Sequence, residues 1–131
     1  LTTGAALAQH APLTVNVRQF KNTNGQARYW LYRSADGFLT DEKKAVRVVG
    51  APIIGTSSRY VFENLPAGTY ALTVIHDEND NHRFDTTLLG LPKEAYGTTN
   101  DARGGLSGPP KFEKARFTHA PPGTTVTVKV E

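Results

Sequence analysis

The sequence predicts an all-β domain, an antiparallel two-sheet sandwich of the immunoglobulin-like kind, with a closed barrel as the alternative. Three observations carry this. About seven short runs alternate apolar and polar residues with the period of two that half-buried strands show. Clusters of Gly, Pro, Asn and Asp separate those runs. No stretch holds the 3.6-residue apolar period of an amphipathic helix.

The elements follow in order. Leu13, Val15 and Val17 alternate with Thr14 and Asn16, a first strand. Asn22-Thr23-Asn24-Gly25 is turn text, because Asn and Gly accept the left-handed backbone of a tight reversal. Gln26 to Arg33 forms a second strand, with Ala27, Tyr29 and Leu31 on one face and Arg28, Trp30 and Tyr32 on the other. Asp36-Gly37 opens a polar loop through Lys44. Ala45 to Ile54 is a third strand, and its Gly50 and Pro52 mark an edge or a bulge. Arg59 to Phe62 is a fourth. After the Leu65–Thr69 turn, Tyr70 to Ile75 is apolar on both faces, as a central strand is. Regularity then stops from His76 to Lys111, and a loop of that length in a compact domain is usually functional or tied down. Ala115 to Thr118 and the alternating Val126, Val128 and Val130 close the domain, separated by a turn at Pro121-Pro122-Gly123.

Composition narrows the function classes. The chain has 131 residues, 38% apolar and 21% charged, which describes one globular domain. It has no cysteine, so disulfides, thiolate metal sites and cysteine nucleophiles are excluded. Absent cysteines also exclude a true antibody-type domain around Trp30. Net charge is +3, and only Lys43-Lys44 are adjacent, so there is no basic stripe for nucleic acid. No apolar run reaches the roughly 20 residues of a transmembrane helix. Leu1 to Gln9 resembles the tail of a signal peptide, with Ala6-Leu7-Ala8 fitting its small-x-small cleavage pattern, so export to the periplasm or exterior is expected. The alternative is an Ala-rich N-terminal arm, either loose or packed on something. Residues 1–12 are thus a leader remnant or arm, and 13–131 a single domain.

The sharpest chemical feature is HDENDNHRFD, His76 to Asp85, which holds four of the chain's 12 acids. Asp77, Asn79 and Asn81 recur at every other residue, a spacing that lets side-chain oxygens converge on one hard cation. In an EF-hand-like frame the Arg83 carbonyl takes the seventh position and Asp85 the ninth. His82 replaces the usual glycine, and Leu88 stands where a bidentate Glu belongs. The remaining oxygens then come from water, backbone, Asn100, Asp101 or a neighbouring molecule. An all-oxygen set without cysteine points to Ca²⁺ over zinc. The alternative is an acidic hairpin loop whose side chains cap their own backbone.

Gly90 to Phe112 is dense in Gly, Pro and Asn but carries no phosphate-loop pattern. We expect an ordered loop across one end of the sandwich, pinned by Tyr96, Asn100 and Arg103 and anchored by Phe112. Trp30 and Tyr32 share a face with Arg28; with Tyr29 and Leu31 turned inward, they form a contact surface for a partner or glycan, or lie under the arm or a long loop. Catalysis finds no support: no G-x-S-x-G elbow occurs, and pairs such as Asp77 with Glu78 or Glu94 with Asp101 are not shown to be at a catalytic separation.

From Leu13 to Val130 the text resembles the bacterial exported domain-of-unknown-function family 2141. The matching runs are LTVNV, NTNGQARYWLYRSADGFL, FENLPAGTYALTVIHDENDN with RFDT, GLPKEAYGTTNDARG and GPPKFEKARF. Asp80 and His82 stand where the family usually carries glycine. The resemblance implies a secreted or periplasmic β-sandwich of the prealbumin or collagen-adhesin-B type, and no established activity. The expected function is therefore an exported, non-enzymatic structural or binding module with a Ca²⁺-stabilised acidic loop. The alternatives are a filament subunit that self-associates by adding its arm, Leu1 to Ala11, as a strand to a neighbour, and a carbohydrate-binding module using Trp30 and Tyr32.

Overall fold

A computed structural model describes residues 9–80, 94–103 and 110–131. Among these residues eight strands form two sheets. β1 (His10–Arg18) is the centre of a three-stranded sheet, between β4 (Ser58–Pro66) and β8 (Thr124–Lys129). The five-stranded sheet runs β3 (Arg47–Ala51), β2 (Gln26–Tyr32), β5 (Gly68–Asp77), β6 (Tyr96–Thr98), with β7 (Phe117–His119) also pairing β5. Among the described residues helix is limited to α1 (Phe112–Ala115) and two 3₁₀ turns, Glu42–Lys44 and Thr99–Asp101.

The predicted sandwich is present, with three differences. β1 begins at His10, inside the expected arm, because Ala11 is buried and already pairs with Leu65. β6 lies in text that shows no period, since three residues are too few to display one. And β8 runs parallel to β1. The chain leaves β7 in one sheet, turns at Pro121–Gly123 and enters the other sheet alongside β1, which fixes that direction.

The main core lies between the sheets. Leu13, Val15 and Val17 of β1, Tyr29 and Leu31 of β2, Phe62 of β4, and Leu72 and Val74 of β5 meet there. Each large apolar side chain so buried contributes about 1.5–3 kcal/mol. The Tyr29 hydroxyl shares a 2.7 Å hydrogen bond with Ser58, and burial pushes its pKa up to about 12 despite that bond. Tyr70 donates to the Pro66 carbonyl at 2.6 Å, bracing the β4–β5 turn.

A second core covers the outer face of the five-stranded sheet. Trp30 and Tyr32 are 3% and 0% exposed, so the expectation of a partner or glycan surface there is corrected. The polar loop after β2 folds back and sets Phe38 against Tyr32, ring centroids 5.1 Å apart. Phe112 of α1 packs on Phe38 at 5.7 Å. The central strand β5 is dry on both faces because two connections, not a third sheet, cover its outer side. That is the covered-by-a-loop alternative.

Two pins join the layers. His119 is fully buried; its Nε2–H donates to the carbonyls of Ala11 (3.0 Å) and Leu65 (3.1 Å), and its Nδ1 accepts from the Thr124 hydroxyl (2.8 Å). At the far edge, Tyr96 and Glu131 exchange backbone hydrogen bonds of 3.1 and 3.2 Å. That closure brings Gly97 so near β8 that a Cβ would sit 2.0 Å from the Lys129 carbonyl. Gly97→Ala is therefore expected to cost about 2–4 kcal/mol, as overpacking against backbone does. Gly55→Ala faces open space at φ +64° and costs about 1 kcal/mol from the left-handed conformation alone. Urea denaturation of both variants checks the order; equal losses would refute the edge closure.

Candidate functional site

The β1–β2 turn and the turn after β5 pack against each other and form one end of the sandwich. Their closeness depends on Gly25, at φ +65°: a Cβ there would lie 1.8 Å from the Asp77 carbonyl oxygen. The side chain of Asn22 accepts from the Asn24 amide at 2.9 Å, shaping the first turn. In the second, the Asp80 amide donates to the Asp77 carbonyl at 3.2 Å and Asp80 adopts φ 56°.

Polar side chains bridge the two turns. The Asn22 amide donates to Glu78 at 3.1 Å, and Lys21 approaches the other Glu78 oxygen at 3.3 Å. Gln26 donates to Asp80 at 2.5 Å. The Nε2–H of the fully buried His76 donates to the Asn24 carbonyl at 2.8 Å, while its Nδ1 has no hydrogen-bond partner. Phe20 packs edge-on against the His76 ring at 5.2 Å.

Two carboxylates sit at the base of this end. Asp77 is 0% exposed and Glu94 is 9% exposed. The β5–β6 register pairs Thr73 with Thr98 and Ile75 with Tyr96, and the His76 amide reaches the Ala95 carbonyl at 2.9 Å. Continued by two residues, it sets Asp77 opposite Glu94. On its other side Asp77 is paired with Gln26. Asp77 and Glu94 both engage other groups in the fold, as do Asn79 and Asp80.

Of the expected cation ligands, Asp77 and Asn79 lie in this turn, Asp77 buried at its start and Asn79 exposed. Asn81, Arg83 and Asp85 lie outside the described residues. Asn100 and Asp101 are elsewhere, beside α1 and β8. Asn100 donates to the carbonyls of Lys114 (3.3 Å) and Arg116 (2.8 Å). Arg103 donates to the Tyr96 carbonyl at 3.1 Å, covers its ring at 4.9 Å and pairs with Glu131 at 3.4 Å. These residues hold the return segment and do not join the β5 turn. Among the described residues no three His, Cys, Asp or Glu side chains converge as a ligand set. Sequence reasoning missed Glu94, Asn22 and Gln26 as members of this end. Only the strand register places them, and the register appears once β6 is recognised.

The family model of an uncharacterized protein conserved in bacteria, domain of unknown function 2141, matches residues 15–127. The chain belongs to this family. The match runs from within β1 to within β8, so the family signature spans both sheets, both cores and the β5 turn. No curated protein and no solved structure matches. No helix among the described residues of this family member is long and apolar enough to cross a membrane.

Glu78 offers a direct probe of the turn–turn contact. The Asn22 hydrogen bond, aided by Lys21, holds its carboxyl below the usual carboxylate range, against a partial burial that opposes. A depressed folded pKa contributes stability above the unfolded pKa and loses it as pH falls through the folded one. Asn22→Ala should return the Glu78 pKa toward its usual value and shrink the stability difference between pH 7 and strongly acid pH by under about 1 kcal/mol, since the pair is partly solvated. Carboxyl NMR titration with denaturant unfolding reads both; an unmoved Glu78 titration would disprove the bridge.

Proposed function

We propose that the chain is an exported, non-enzymatic β-sandwich module whose β5 turn binds Ca²⁺. The observation that carries this is the register of two buried carboxylates, Asp77 and Glu94, at the base of an Asp-x-Asn-x-Asn run. A divalent cation favours oxygen donors of this kind. Asp77 and Asn79 supply the first ligands, with Asn81, the Arg83 carbonyl and Asp85 completing the set. The bridge from Gln26 supports the reading because an amide orients the Asp80 carboxylate without adding a positive charge of its own. Export, expected from Ala6-Leu7-Ala8, sets the module where calcium is abundant, and occupancy then stabilises the fold by mass action.

A second reading concerns assembly. Among the described residues β3 and β4 each pair on one side only, and Val46 and Val48 are exposed beside the β3 edge. Such an edge accepts an added strand. Residues 1–8 of a second copy are the proposed occupant. The Ala11 carbonyl belongs to the His119 pin, so the informative truncation ends at residue 8. Sedimentation of the chain without residues 1–8 should show monomers where the full chain associates; equal association refutes this reading.

For the calcium reading, thermal unfolding in excess Ca²⁺ should lie about 5 °C above that in chelator, the shift expected when the ion exceeds its Kd about tenfold. Asp77→Asn should abolish the difference. Asn79→Ala, at an exposed position, should reduce it while leaving the chelator curve unchanged. Superimposable curves in calcium and chelator would overturn the reading.

A further inference from the structure

A groove of about 340 Å³ opens on the three-stranded sheet, at the same end as the β5 turn but on the opposite layer. Its size falls at the lower end of the about 300–1,000 Å³ typical of small-molecule sites. Asn16 and Arg18 of β1 and Arg59 of β4 line one side, and Pro52, Ile54 and Ser57 of the β3–β4 connection line the other.

Both walls are fixed by backbone. Ile54 and Ser57 exchange hydrogen bonds of 2.8 and 3.1 Å, and the Phe20 amide donates to the Thr56 carbonyl at 3.1 Å. The connection is therefore tied both to itself and to the end of β1.

The charge arrangement is one-sided. Asn16 pairs with Arg59, and Arg18 pairs with Lys129 on the neighbouring strand. Asn16 and Arg18 share a face, so Arg18 and Arg59 are diagonal cross-strand neighbours, and Lys129 stands beside them. Like charges so placed repel. Among the described residues no carboxylate forms an ion pair with Arg18, Arg59 or Lys129. No acid lines the groove. Opposite the guanidiniums, Ile54 is 77% exposed, the most exposed large apolar side chain among the described residues.

These features select a ligand class. A cation is repelled. A wholly apolar molecule strips water from two guanidiniums and returns nothing. A bare inorganic ion leaves Ile54 and Pro52 wet. We infer that the groove binds a small organic oxyanion, its phosphate, sulfate or carboxylate head held by Arg18 and Arg59 and its apolar body laid against Ile54 and Pro52. Guanidinium forks place two parallel N–H donors against paired oxygens of such heads. The Asn16 amide and Ser57 hydroxyl are uncharged donors at the same rim. This site shares no residue with the calcium reading and stands without it.

Phenyl phosphate is the probe, followed by amide NMR titration and calorimetry on the full chain. Saturable shifts are expected at Asn16, Arg18, Ile54, Ser57 and Arg59. Arg18→Gln and Arg59→Gln should each weaken binding about tenfold, the scale of one charge-assisted hydrogen bond. Ile54→Ser should weaken phenyl phosphate and leave inorganic phosphate unaffected. All three positions are exposed, and unchanged melting curves confirm that the variants fold. Benzyl alcohol, neutral and of similar size, should produce no saturable shift. No saturable response to phenyl phosphate in the millimolar range, binding indifferent to both arginine substitutions, or inorganic phosphate binding as tightly as phenyl phosphate would each overturn the inference.

Discussion

The dryness of β5 on both faces is the constraint on which the rest depends. From Tyr70 to Asp77 every residue is buried. One face is covered by the opposing three-stranded sheet. The other has no sheet to meet it, so the loop after β2 and the segment carrying α1 fold over it and supply Phe38, Leu39 and Phe112. Without that cover, Trp30, Tyr32, Ala71 and Ile75 would face water, and the hydrophobic gain of the second core would be forfeited. The long connections therefore belong to the stabilising structure.

The strand stays buried one step longer than its apolar text. It ends on His76 and Asp77, a ring and a carboxylate placed where water does not reach. Buried polar groups require partners. The β1–β2 turn provides one for His76, the Asn24 carbonyl, and the Asn22 and Gln26 amides hold the next acids along, Glu78 and Asp80. Gly25 makes this possible, since any side chain there would collide with the Asp77 carbonyl. The polar character of the end thus follows from the length of the central strand.

Much of this was legible in the sequence, and the limits have physical causes. β5 announces itself because a doubly buried strand reads as a continuous apolar run. β1, β2 and β8 show their alternation plainly. The burial of Trp30 and Tyr32 did not show, because alternation tells which residues share a face and nothing about what covers it. Phe38, Leu39 and Phe112 are isolated apolar residues in polar text, with no period to mark them as a lid on the sheet. Glu94 and Asp77 become neighbours only through the three-residue β6, and Arg18 and Arg59 only through the β1–β4 register. The acidic turn itself was visible because its residues are consecutive. Sites assembled from one segment are readable in a lone sequence; sites assembled by strand pairing need the register.

A net charge of +3 conceals how the charges sort at this end of the domain. On the five-stranded side, Asp77, Glu78, Asp80 and Glu94 gather around one end, where amides reach Glu78 and Asp80. On the three-stranded side, Arg18, Arg59 and Lys129 gather on one face, with no acid among the described residues ion-paired to them. Lys21, four-square between these groups in the chain, commits to Glu78 and leaves the basic face unmixed. Charges left to solvent alone gain from interspersing signs, because opposite neighbours attract and like ones repel. Segregation forgoes that gain on both layers at once. A cation on one side and an oxyanion on the other would each restore it, and the two layers would do so independently, since the main apolar core lies between them.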